Sequence, residues 1–425
     1  MLTHEENERL TRVEGDAPMG RMMKENYWVP FMRDAALKPG GDPKRVRLFG
    51  NDHVVFRAED GRIGMFDEAC PHRRASLVLA RSEDCALRCI FHGWKIDVEG
   101  NVIDMPTNPE DGDVVAPKVT VRKYPVHAEG GLLWAWLGEG EQPAFPDLPW
   151  AGLPDEHMWI TVTTSNCNWL QGVEGTLDSA HIGQLHGSWM RRLLDDRKAM
   201  PQGAVYSDRG NTILTPPRYE VALSPTGLRA AALREMPGGR THLRLTEYAM
   251  PFICMPPLPG DMESQFFISV PIDDVTHLLI FAHAYKTRPV LSELNGSIGN
   301  GDYDQDAYAN FRGSRENNWG QNRKAMREEN HFTGFTRNLL EEDVVVQVSM
   351  GPITDRTKEF LVASDLAVVR NRQMLLQVLR KWEENGALPP GSARSGKVTV
   401  PHAKDLILEP GEKWTERPEV KVAAE

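Results

Sequence analysis

The chain holds little cysteine for its length, five residues (Cys70, Cys85, Cys89, Cys167 and Cys254) among 425. That is too sparse for a disulfide framework, and no secretory leader is recognisable, so a reducing compartment and a cytoplasmic location are expected. No apolar stretch approaches the roughly 18 residues that suggest a membrane span, and the mean hydropathy of -0.44 fits a soluble protein. No run of basic residues occurs. With 49 Lys and Arg against 60 Asp and Glu, the net charge is -11, which argues against nucleic acid as a partner. Also missing are a G-x-G-x-x-G after a strand and a ferredoxin-type four-cysteine run, so the chain has neither a dinucleotide fingerprint nor a second cluster of its own. Internal repeats and low-complexity segments are lacking too.

Two short metal-binding motifs are present, Cys70-Pro71-His72 and Cys89-Ile90-Phe91-His92-Gly93-Trp94, with sixteen residues between His72 and Cys89. Structural zinc sites group like ligands, as C-x2-C and H-x3-H. Here each arm is mixed. One Cys and one His per arm is the pattern of a Rieske-type [2Fe-2S] cluster, two thiolates on one iron and two imidazoles on the other. Neutral imidazoles make their iron easier to reduce, so Cys70, His72, Cys89 and His92 imply electron transfer at a raised potential. Neither loop carries the extra cysteine that forms a disulfide in respiratory Rieske proteins, so the pair resembles the oxygenase and ferredoxin branch.

The surrounding sequence reads as short antiparallel strands. His53–Arg57 and Arg62–Phe66 flank the turn signal Asp60-Gly61, and Leu87–Val98 runs into Glu99-Gly100-Asn101. The ligands then sit on loops at strand ends. The length favours two or three domains. Residues 1–26 read as a helical arm followed by a turn at Gly15 to Gly20, and residues 27–145 as the cluster domain, closed by the strand Gly130–Trp136 and a proline-rich linker. Residues 146–425 form the larger domain. In it Met158–Thr163, Gly227–Leu233, Leu243–Met250, Gln265–Val270 and Leu278–Tyr285 read as strands of one antiparallel sheet. Arg315–Glu329 and Asp365–Glu384 read as helices, Ser292–Asn310 as a mobile loop, and the last dozen residues as a surface strap or frayed tail.

A second metal motif lies in Asn168–His186, as D-x2-H-x4-H. Asp178 and His181 share a helical face, but His181 and His186 are about 140° apart around an ideal helix, so the helix must end or distort between them. Gly183 offers that freedom. Two imidazoles and one carboxylate make the facial triad of non-haem iron oxygenases, with positions left open for O2 and substrate. Asp178 is one candidate carboxylate, though three residues before His181 it is better suited to orient a ligand imidazole. Asp343, in Leu339-Leu340-Glu341-Glu342-Asp343, is better placed. Acidic residues also simply favour a helix N-terminus; a two-His site in want of a carboxylate tips the reading towards a ligand.

Taken together, Cys70-x-His72 with Cys89-x2-His92, Asp178-x2-His181-x4-His186 and Glu342-Asp343 resemble the catalytic (α) subunit of Rieske non-haem iron ring-hydroxylating oxygenases over roughly residues 20–385. Asn168-Trp169-Leu170-Gln171 and Ser349–Thr357 are similar to the phthalate dioxygenase group. The resemblance implies an α+β fold, an all-β Rieske domain followed by a helix-grip antiparallel sheet around a long helix. It also implies cluster ligands Cys70, His72, Cys89 and His92, iron ligands His181, His186 and Asp343, and Asp178 as the bridge for electrons arriving from a neighbouring subunit's cluster. A trimer, or two stacked as a hexamer, follows from that bridge. Glu174 stands where many relatives carry asparagine, and no role is assigned to it.

The implied reaction is O2-dependent cis-dihydroxylation of an arene, with electrons from a separate NADH-dependent reductase. For substrate the expectation is an aromatic carboxylate such as phthalate or isophthalate, because arginine donates two parallel hydrogen bonds to a carboxylate. Arg218 and Arg244 are the candidate anchors, each with a surface salt bridge as its alternative. The runner-up reading is a monooxygenase or O-demethylase acting on a substituted aromatic acid.

Overall fold

The computed structural model describes residues 2–119, 121–191, 209–258, 263–290, 305, 311 and 313–420. It opens with two helices, α1 (His4–Thr11) and α2 (Pro18–Asn26). A capping box at Thr3 and Glu6 starts α1, and Pro18 at the first turn of α2 supplies a preset φ. Only the first of these helices was expected. Gly20 is needed where they meet, since a Cβ there would lie 2.0 Å from the Val13 carbonyl oxygen. Leu10, Val13, Met19, Met22 and Met23 are fully buried in the principal core, so the arm is packed along its length.

Next come β1 (Trp28–Arg33), β2 (Lys44–Leu48), β3 (Asn51–Arg57), β4 (Ile63–Asp67), β5 (Arg81–Glu83) and β6 (Ala86–Arg88). They are followed by β7 (Lys95–Asp97), β8 (Val102–Asp104), β9 (Val126–Glu129) and β10 (Leu132–Trp136). These make three small sheets, ordered β1-β10-β9, β2-β3-β4 and β5-β6-β7-β8. The hairpin at Asp60-Gly61 forms as expected, with Arg57 opposite Ile63 and Gly61 at φ +89°. Leu87–Val98 is not one strand. The loop Cys89–Trp94 interrupts it between β6 and β7, which lifts His92 and its neighbours clear of the sheet.

The proline-rich stretch leads across to the larger domain, and Trp150 within it stacks on Phe266 with centroids 3.9 Å apart. There β11 (Met158–Ser165), β12 (Arg218–Ser224), β13 (Gly227–Glu235), β14 (Thr241–Ala249), β15 (Ile253–Met255), β16 (Glu263–Pro271), β17 (His277–Tyr285) and β18 (Lys404–Leu408) form one eight-stranded antiparallel sheet. Its order is β11-β17-β16-β15-β14-β13-β12. β18 shares the edge of β14 with β15, pairing Thr241–Leu245 while β15 pairs Glu247–Ala249. The five strands read from the sequence are all present; β12, β15 and β18 were not foreseen.

Three longer helices pack in the domain, α3 (Trp169–Leu177), α4 (Leu339–Ser349) and α5 (Leu366–Asn385). Trp169, Leu170, Val173 and Leu177 of α3 and Leu375 and Leu379 of α5 join the core under the sheet. The structure thus has the α+β, helix-grip architecture expected. α5 matches the predicted helix and ends at Gly386, φ +70°, where glycine relieves the left-handed strain. Arg315–Glu329 does not form the single helix expected. A short 3-10 turn over Arg315–Gly320 contains Asn318 and Trp319 at positive φ, and Asn322 then caps a new helix over Arg323–Glu328. The C-terminal segment is a strap as far as residue 420: Trp414 and Val420 are buried against Leu243 and Leu245. The expected mobile loop Ser292–Asn310 lies outside the described residues, Gln305 excepted.

Candidate metal centres and substrate cavity

The two cysteine loops share one backbone design. In each, the cysteine N–H donates to the carbonyl five residues on (Ala75 at 2.8 Å, Trp94 at 2.8 Å), and the cysteine carbonyl accepts from the N–H four residues on (Arg74 at 2.9 Å, Gly93 at 2.9 Å). Both rings turn on a left-handed residue at that fourth position, Arg74 (φ +63°) and Gly93 (φ +75°). The loops bring the His72 and His92 rings within 4.5 Å, and Trp94 stacks on His72 at 4.5 Å. Cys70 and Cys89 are free thiols, 1% and 2% exposed, and burial pushes the Cys70 thiol up to about 11. His72 Nδ1 is buried without a hydrogen-bond partner. An orphaned imidazole nitrogen beside two buried thiols fits a metal cluster, which would supply the missing bond and stabilise thiolates.

The second centre is assembled from two segments far apart in sequence. Asn168 caps α3 by accepting from the Leu170 N–H at 3.1 Å, and the helix stops at Leu177, one residue before Asp178. His181 begins a 3-10 turn and His186 precedes a helical segment over 187–191. The change of direction therefore comes before His181, not at Gly183. Gly183 is required for another reason, since a Cβ there would meet the Leu214 carbonyl oxygen at 2.4 Å. The turn sets His181 Nε2 and His186 Nε2 3.2 Å apart. α4 presents Asp343, whose Oδ1 lies 3.0 Å from His186 Nε2 and 3.7 Å from His181 Nε2. One ligand atom from each of the three falls within 4.8 Å of the others, a fit for a facial triad.

The negative charge around the site suits a cation. Burial works to lower the His186 pKa, but the Asp343 and Glu342 carboxylates overcome it and raise it to about 9. Burial likewise opposes ionisation of Asp343, and His186 and His181 hold its carboxyl below the usual range. Asp178 reaches His181 Nδ1 at 3.4 Å and accepts from the Ala180 N–H at 2.7 Å and the Tyr219 hydroxyl at 3.1 Å.

One cavity of about 160 Å³ is lined by this triad and by Arg209, His242, Arg244 and Asp405, with Phe267, Leu279 and Phe281 among its apolar walls. Arg244 is 6% exposed. Its Nε has no hydrogen-bond partner, and its nearest acid, Asp405, lies at 3.9 Å. Arg209 pairs with Asp405, and His242 Nε2 meets the other Asp405 oxygen at 3.0 Å. Among the described residues, the Asp405 carboxylate thus stands between the Arg209 and Arg244 guanidinium groups. Arg218 is not in the cavity. At the start of β12 it is exposed and pairs with Glu220 at 2.5 Å, a surface salt bridge.

Glu174 proves structural. It points into a buried ionic knot, with Arg356 at 2.8 Å and Arg372 at 2.6 Å, and Arg372 also holds Glu359. Residues to which the sequence reading gave no role are Glu342, Tyr219, Arg209 and Asp405. Glu342 adjoins Asp343, and that adjacency was its signal. Asp405 sits on β18, a strand pattern too short to distinguish from tail.

Residues 27–125 match the Rieske [2Fe-2S] domain and residues 135–416 the LigXa C-terminal domain-like family. A phthalate 4,5-dioxygenase oxygenase subunit from Pseudomonas putida is 39% identical over 402 residues, covering 90% of this chain and 87% of its own. A 5,5'-dehydrodivanillate O-demethylase oxygenase subunit from Sphingobium sp. (strain NBRC 103272 / SYK-6) is 28% identical, covering 96% and 89%. Among solved structures, the terminal oxygenase of carbazole 1,9a-dioxygenase from Novosphingobium sp. KA1 superposes with TM-score 0.57 at 20% identity, covering 90% of this chain and 99% of its own, and so shares the fold. The chain belongs to the Rieske non-haem iron ring-hydroxylating oxygenases, as a catalytic (α) subunit of the phthalate dioxygenase group that carries a [2Fe-2S] cluster and a mononuclear iron and uses O2.

Proposed function

We propose that this oxygenase component cis-dihydroxylates an aromatic carboxylate of the phthalate or isophthalate kind, with electrons from an NADH-dependent reductase. The observation that carries the reading is Arg244, a buried guanidinium whose Nε has no hydrogen-bond partner and which shares Asp405, 3.9 Å away, with Arg209, on the same cavity as His181, His186 and Asp343. Arg244, with Arg209 beside it, binds substrate carboxylate through charge-assisted hydrogen bonds. Phe267, Leu279 and Phe281 receive the ring and exclude water. His181, His186 and Asp343 hold the iron, which supplies O2 activation when bound. Cys70, His72, Cys89 and His92 hold the cluster. Asp178 links His181 to an incoming electron path, and the cluster serving it is that of the adjacent subunit in a trimer or hexamer.

The test is substrate-dependent O2 uptake with a surrogate reductase over a panel of aromatic mono- and dicarboxylates, followed by product analysis with 18O2. Two labelled atoms in a cis-dihydrodiol are expected. One labelled atom with released formaldehyde would assign the chain to O-demethylation, the chemistry named for the Sphingobium relative.

A further inference from the structure

The His186 ring is gripped at both nitrogens by consecutive residues of one helix. Asp343 Oδ1 faces Nε2 at 3.0 Å and Glu342 Oε2 faces Nδ1 at 2.7 Å. Glu342 is fully buried, at 0% exposure, and its second oxygen accepts from the Thr333 hydroxyl. Thr333 is itself fixed, because its segment is fastened to the chain just beyond His186. The Phe332 N–H donates to Ser188 Oγ at 2.9 Å and Trp189 Nε1 to the Phe335 carbonyl at 3.2 Å.

From this arrangement we infer that Glu342, seated by Thr333, is the positioning residue that fixes the His186 tautomer for metal binding. A neutral imidazole that donates Nδ1–H to Glu342 must present Nε2 as a bare lone pair towards Asp343 and His181, the direction the triad requires. Burying a divalent ion beside Asp343 alone leaves one positive charge unmatched, and Glu342 brings the second negative charge within one imidazole of it. His181 is served differently, by a part-exposed carboxylate, Asp178, at 3.4 Å. The two histidines therefore have separate supports, one facing the outside and one sealed in the core.

The inference rests on the triad being the metal site, and the experiment separates the two. Holoenzyme with its cluster intact is stripped of mononuclear iron by a mild chelator and titrated with Co(II), following the ligand-field bands, while the cluster absorbance reports folding. Glu342→Ala is expected to weaken Co(II) binding about 10- to 100-fold and to shift the bands. Glu342→Gln, which can still accept from Nδ1–H, should recover part of the loss, and Thr333→Val should cost less than Glu342→Ala. Asp343→Ala is the reference. If it binds Co(II) as the wild type does, the metal-site reading fails. If Asp343→Ala loses binding while folded Glu342→Ala stays within twofold of wild type with unshifted bands, the role of Glu342 is overturned. Should Glu342→Ala not fold, Glu342→Gln and Thr333→Val decide, and wild-type affinity in both overturns it equally.

Discussion

The Tyr219 hydroxyl donates to Asp178 Oδ1 at 3.1 Å, while Asp178 Oδ2 stands 3.4 Å from His181 Nδ1. Tyr219 also accepts from the Ser179 N–H, and burial pushes its own pKa far up, so it stays a donor throughout the working pH range. One carboxylate is thereby locked with an oxygen towards the His181 imidazole. Asp178→Asn should leave the cluster reducible and the iron bound, yet slow single-turnover oxidation of the reduced cluster by about 100-fold. Tyr219→Phe should slow it by about tenfold, as expected for loss of a group that orients a ligand partner. Stopped-flow absorbance of the cluster measures both, and wild-type rates in Asp178→Asn would remove the bridge.

Arg244 and Arg218 give opposite expectations. Arg244→Lys keeps the charge but loses the planar fork, and kcat/KM for the best carboxylate substrate should drop about 10- to 100-fold, equivalent to roughly 1.5–3 kcal/mol for a charged hydrogen bond. Arg218→Ala, at the surface with Glu220, should leave steady-state kinetics unchanged.

Removing the Glu174 charge leaves Arg356, at 0% exposure, without its carboxylate and Arg372, at 4%, with Glu359 alone. Breaking one side of such a buried ion network costs about 3–5 kcal/mol. Glu174→Gln should lower the urea midpoint accordingly, while the iron content of the folded fraction holds. Loss of iron without loss of stability would instead place Glu174 at the metal site.

Acid should destabilise the fold through two buried histidines. His277 is fully buried, donating Nδ1–H to the Cys167 carbonyl at 2.7 Å, and burial lowers its pKa to about 4. Burial does the same to His53, again to about 4, against the opposing pull of Asp67. Both values lie below the unfolded value of about 6.5, so the unfolded chain binds more protons across this range. Stability is full above about pH 6.5 and falls as the pH drops towards 4, by about 2 kcal/mol per histidine at pH 5. His277→Asn, which preserves the donor, should flatten the dependence of the urea midpoint on pH between 7 and 5. Equal slopes in the two proteins would exclude His277 as a source.

Much of the site was legible because its chemistry is local in sequence. Cys70, His72, Cys89 and His92 announce themselves by mixed spacing, and His181 and His186 by two imidazoles behind an acid. Asp343 was legible only by demand, since acids also open helices; its adjacency to the His186 ring is a property of packing. Asp405 and Tyr219 were illegible. Each sits on a strand, β18 or β12, that registers only when paired with β14 or β13, and each acquires its partner through that register. Arg218 misled because a Pro-Pro-Arg entry to a strand does not reveal which way the side chain turns. The Arg315–Glu329 helix failed where Asn318, Trp319 and Gly320 take left-handed backbone, a choice that composition alone had not forced.

Iron and acid-labile sulfide per chain test the central claim, that one chain carries a cluster and a separate triad iron, most directly. Wild type should hold about three irons and two sulfides, and Asp343→Ala about two irons and two sulfides, with substrate-dependent O2 uptake abolished. Three irons retained in Asp343→Ala, with wild-type O2 uptake, would contradict the account.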